Sequence, residues 1–118
     1  MYRAEAAVEL LIGHEWWLHR DDFVNAFVGT DQAPVSGTPV AFVDWPAAVA
    51  ALDAARLPCS RSEAQILRVA ASIAAGVPVD VGGALVGLDE RTARLVAAAV
   101  LHAVGGGEAV SSVVAPRW

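Results

Sequence analysis

The stretch with the clearest potential for chemistry is Gly13–Arg20, GHEWWLHR. A His-Glu pair followed by a second histidine outlines the zinc-protease helix. There H-E-x-x-H sets two imidazoles four residues apart on one helix face, with the glutamate as base. Here His14 and His19 are five apart. Five steps of about 100° carry the second ring roughly 140° around a helix, so one ion cannot lie between the two. Gly13 before them and Asp21-Asp22 after them read as a junction between helices, and no spacing ties in His102. The expectation is no metal site, with His14 and His19 as polar groups flanking an aromatic pair.

The remaining reactive groups do not converge either. Cys59 is the only cysteine, which excludes an internal disulfide and a cysteine-only metal site and fits a reducing compartment. It precedes a helix start at Ser60, where a thiolate would be favoured, but nucleophilic catalysis needs a base beside it and no histidine is near in sequence. A semi-buried thiol is the simpler reading. Glu15, Asp21, Asp22 and Asp31 form no recognisable acid–base pair. Gly82-Gly83 and Gly105–Gly107 lack the strand, helix and lysine of a phosphate loop. These patterns predict no catalytic residue, no cofactor and no enzyme.

Composition narrows the field further. The 118 residues suffice for one domain. Hydrophobic residues make up 56% and the mean hydropathy is +0.49, more apolar surface than a small domain readily buries, so self-association or a protein partner is expected. A net charge of −5 disfavours nucleic acid, whose binders carry a basic field. All eight basic residues are arginine and alanine is about a fifth of the chain, a high-GC bacterial signature. Glu5 and Glu9 interrupt the N-terminal apolar run, so it does not read as a signal peptide, and no apolar run reaches the roughly 18 residues of a membrane span. A soluble, cytoplasmic protein without membrane contact is expected.

Periodicity supplies the elements. Ala4, Ala7, Val8 and Leu11 predict a helix over Arg3–Ile12 that Gly13 stops. A second spans Arg20–Val28 around Phe23 and Phe27. Thr30–Thr38 reads as a loop, and Val40–Asp44 as a short strand with Val110–Val114 as candidate partner. Asp44 caps a helix running to about Arg56. The capping box Ser60-x-x-Glu63 opens the clearest helix, with Ile66, Leu67, Ala70, Ile73 and Ala74 inward and Arg61, Gln65, Arg68 and Ser72 outward. Val81–Val86 forms a short helix or turn, and Asp89 caps a last helix to Val104. The predicted fold is mainly α: a compact bundle of about five short helices with at most one small β element. Residues 1–105 form a single helical domain and 106–118 a C-terminal tail.

Two resemblances follow. Ser60–Val104, through SRSEAQILR and VGLDERTARL, resembles the response-regulator type of helix-turn-helix. That resemblance implies a DNA-binding transcriptional regulator with Glu90, Arg91 and Arg94 at the major groove and Thr92 near phosphate. Against it, the helix continues as LVAAAVLHAV, leaving only His102 polar where a recognition helix needs groove-facing polar groups. Asp44–Gly105, through DWPAAVAALD, LPCS and LDER, also resembles a group of small uncharacterised helical proteins of high-GC bacteria with no attached activity. For partner contact the candidates are Ala98 and Leu101, which share a face with Arg94, and the adjacent Trp16 and Trp17. One of that pair belongs to the core and the other is available as an anchor. The expected function is a non-catalytic interaction or regulatory protein acting through an apolar helix surface, as a homodimer or with a protein partner.

Overall fold

In the computed structural model, residues 2–32 and 39–105 are described. They form six α-helices and one antiparallel two-stranded sheet: α1 (Tyr2–His14), α2 (Asp21–Phe27), β1 (Val28–Gln32), β2 (Pro39–Val43), α3 (Trp45–Asp53), α4 (Arg61–Ala75), α5 (Val81–Leu85) and α6 (Glu90–Ala103). A 3₁₀ turn, Trp17–His19, links α1 to α2. The mainly helical reading with one small β element holds. The candidate strand Val110–Val114 and the tail 106–118 lie outside the described residues.

The core is built on α4. Ser60 accepts from the Glu63 backbone N–H while the Glu63 carboxylate accepts from the Ser60 N–H, so the capping box satisfies two donors that the first turn would leave orphaned. Gly76, in the left-handed region at φ 71°, ends the helix as only glycine does without strain. Between these caps Ile66, Leu67, Ala70 and Ala71 are fully buried. They pack against Ala7, Leu10 and Leu11 of α1 and against α3, whose first turn is capped by the Asp44 side chain. Trp17 closes the cluster. It is completely buried, donates its indole N–H to the Glu63 carbonyl at 2.9 Å, and stacks at a tilt on Phe23 with centroids 5.2 Å apart.

Three local expectations are corrected. Gly13 does not stop α1: the helix runs through it to His14, and the Leu95 side chain of α6 lies over the glycine. A Cβ there would lie 2.7 Å from Leu95 Cδ2. Thr30–Gln32 is strand, not loop, and β2 pairs with β1 in the register Val28↔Val43 through Gln32↔Pro39. Turn-forming residues take strand geometry there because pairing overrides local preference. Gly29 is permissive for a further reason: the Phe42 ring covers it, leaving 2.6 Å for any Cβ. Finally, α1 turns inward on Ala6, Ala7, Leu10 and Leu11, leaving Ala4 exposed.

Candidate interaction surface

Helices α1 and α6 lie antiparallel. Gly105, just past α6, abuts the Tyr2 ring; Glu5 Oε2 is 3.9 Å from His102 Nε2; and at the far end Arg91 donates to the Gly13 carbonyl at 2.8 Å. That last contact binds an otherwise unpaired carbonyl in the last turn of α1. Between them, on the solvent side, runs a cleft of about 260 Å³ lined by Glu9, Ile12, Gly13, Leu95, Ala98 and His102. Ile12 is 54% exposed and Ala98 is exposed, while Leu95 and Leu101 are half-buried.

This arrangement sorts the sequence candidates. Ala98 lines the cleft and Leu101 follows it by one turn. Of the tryptophan pair, Trp17 is in the core and Trp16 is left 37% exposed just past the end of α1. Sequence reading missed Ile12, whose outward position could have been found from the spacing Tyr2, Glu5, Glu9, Ile12, opposite the buried stripe. It also missed a second apolar stripe on α6, where Ala93, Ala97, Val100 and Val104 recur at four-three-four spacing and Val100 and Val104 are 50% and 77% exposed.

The DNA-contact candidates sit at the start of α6. Asp89 caps it by accepting from the Thr92 N–H at 2.7 Å, and these hydrogen bonds hold the Asp89 carboxyl below its usual range. Thr92 itself is buried. Arg91 is occupied by the Gly13 carbonyl and lies 3.6 Å from Glu15; Arg94 is 3.8 Å from Glu90 one turn away. Helix α6 packs along α1 and barely touches α5, whereas a helix-turn-helix seats its second helix against the first.

Reactive groups stay apart. His14 closes α1 and His19 the 3₁₀ turn, and among the described residues no three His, Cys, Asp or Glu side chains gather as a metal would need. The Cys59 thiol is half-buried, and burial followed by the nearby Glu63 charge pushes its pKa up, away from thiolate. Among the described residues no helix is long and apolar enough to cross a membrane. Comparison with protein-family models, with curated proteins and with solved structures yields no match.

Proposed function

We propose that this chain is a small non-catalytic interaction protein of the cytoplasm, regulatory or adaptor in role, which self-associates through an apolar helix surface. The observation that supports it most is the α1–α6 face. Two packed helices leave Ile12 and Ala98 exposed over an open cleft, where an isolated domain gains by placing polar side chains. Sedimentation equilibrium over a micromolar concentration series tests the reading: a concentration-dependent dimer is expected. A strict monomer would remove self-association, leaving only a heterologous protein partner.

The alternative is a DNA-binding transcriptional regulator using residues 60–104. Exposure favours it, with the Arg91 and Arg94 side chains 60% and 77% open to solvent. Against it stand the buried Thr92 and the use of Arg91 within the chain. That reading requires salt-sensitive duplex binding that weakens on Arg91→Ala or Arg94→Ala; titrating a labelled duplex at two salt concentrations decides.

A further inference from the structure

We infer that residues 110–114, outside the described part of the chain, dock on their own molecule as a third strand along the outer edge of β2, in the groove between β2 and α1. The inference concerns a different side of α1 from the α1–α6 cleft and does not rest on the self-association reading.

The bonding of the sheet shows which backbone groups lack a strand partner. The Asp44 N–H donates to the Phe27 carbonyl at 2.8 Å. Antiparallel pairs alternate between bonded and non-bonded, so in the register Val28↔Val43 the bonded pairs are Phe27 with Asp44, Gly29 with Phe42 and Asp31 with Val40. Val28 accordingly gives its N–H to the Val24 carbonyl and not to Val43. Ala41 and Val43 therefore aim their N–H and C=O groups away from β1, and among the described residues no strand lies on that side. Val43 is buried, and buried backbone groups left without a partner are costly.

Beside that edge lies a groove of about 470 Å³, lined by Ala4, Val8, Phe42, Val43, Trp45 and Ala74, with Glu5 and Glu9 as its only charged residues. Phe42 and Val43 belong to opposite faces of the sheet, yet no residue of β1 lines the groove. The groove thus follows the outer edge of β2, where a further strand would lie.

Reach and composition select the occupant. Glu5 lines the groove and is 3.9 Å from His102 in the last turn of α6, so the groove lies about one helix diameter, roughly 10 Å, from the end of that helix. Residues 106–109, GGEA, span up to about 13 Å when extended, enough to cross. The next five residues, VSSVV, carry no charge and three valines, which suit both a strand and an apolar groove. A second copy fits less well. Only Ala41 and Val43 offer both edge groups, and Pro39 has no N–H, so the edge is short for a separate chain, whereas a tethered strand arrives at high effective concentration.

Nuclear magnetic resonance on the full chain tests the docking. Cross-strand Overhauser contacts are expected between residues 110–114 and 41–43. The Ala41 and Val43 amides should exchange about a hundredfold more slowly than that of Thr30, which by the same alternation points off the opposite edge of the sheet. Ser112→Pro combined with Val113→Pro removes a donor from each edge of the segment whatever its register. It should bring Ala41 and Val43 close to the rate of Thr30 while the α4 amides keep their protection. Ala41 and Val43 amides that exchange as fast as that of Thr30 in the unaltered chain would overturn the docking. Slow amides that the double proline leaves unchanged would mean that something else covers the edge, and would overturn it too. Contacts between labelled and unlabelled chains in a mixed sample would assign the strand to a second copy and overturn docking within one molecule.

Discussion

Helices α4 and α6 are near twins in construction and opposites in what they show to water. They have 15 and 14 residues, each opens on a side-chain cap, Ser60 or Asp89, and each buries one apolar stripe. Outside that stripe α4 carries Arg61, Gln65, Arg68 and Ser72, with Arg68 paired to Asp53 at 2.7 Å. Outside its stripe α6 carries Glu90, Arg91 and Arg94 in its first turns and then Ala97, Ala98 and Val100, beside Ala93 and with Val104 at its C-cap. The same local rules therefore build a helix finished by its own chain and one left partly bare. The difference is what supports placing the proposed interaction surface on α6 and not on α4.

The contrast breaks most visibly in the core. Leu67 of α4 is fully buried, so Leu67→Ala should cost about 2–5 kcal/mol through lost transfer energy and the cavity left behind. Ala98→Ser on α6 should stay within about 0.5 kcal/mol, as for an exposed position. Urea unfolding of both variants measures the gap, and similar losses would mean that Ala98 is covered within the monomer.

The contact between α1 and α6 comes next in size. Gly13→Val places a branched side chain where one Cβ already meets Leu95 Cδ2 at 2.7 Å. Leu95 is half-buried and its tip can rotate, which limits the damage, but the branch must still push the helices apart. A loss of about 1–3 kcal/mol is expected, with dimerisation weakened because the cleft changes shape. Unfolding midpoint and sedimentation on one sample check both. An unchanged midpoint would mean the two helices are not held at this distance.

The two helices also show where the sequence could be read and where it could not. Ser60-x-x-Glu63 and Asp89 are local signals, since a cap depends on residues three positions apart, and both helices start where those signals lie. Gly13 was misread because a glycine at a helix end and a glycine at a helix crossing look alike until the neighbouring Leu95 is known. Thr30–Gln32 was misread because turn-forming residues become strand only through their pairing with β2. The candidate surface was half legible: Ala98 and Leu101 follow from spacing along α6. Ile12 and Glu9 belong with them only because α1, some 85 residues earlier, lies alongside.

The smallest expected effect joins the two helix starts. His14 ends α1 near Glu63 of α4 and Asp89 and Arg91 of α6, and its Nδ1 is buried with no hydrogen-bond partner among the described residues. Burial holds its pKa below the ordinary value, the Arg91 charge acts the same way, and Glu63 and Asp89 oppose them. The unfolded chain therefore takes up a proton near pH 6.5 while the folded chain still resists it. Stability from the neutral ring is fully present above about pH 6.5 and is lost as pH falls through the lower folded value. Asp22 and Asp89, held below the usual carboxylate range by Arg20 and by Thr92, remain ionised across that interval and contribute no slope. His14→Gln should flatten the fall in urea midpoint between pH 7 and 5.5, leaving α4 and α6 equally stable at both values. Equal losses in wild type and variant would place the pH sensitivity elsewhere and leave His14 a bystander at the junction.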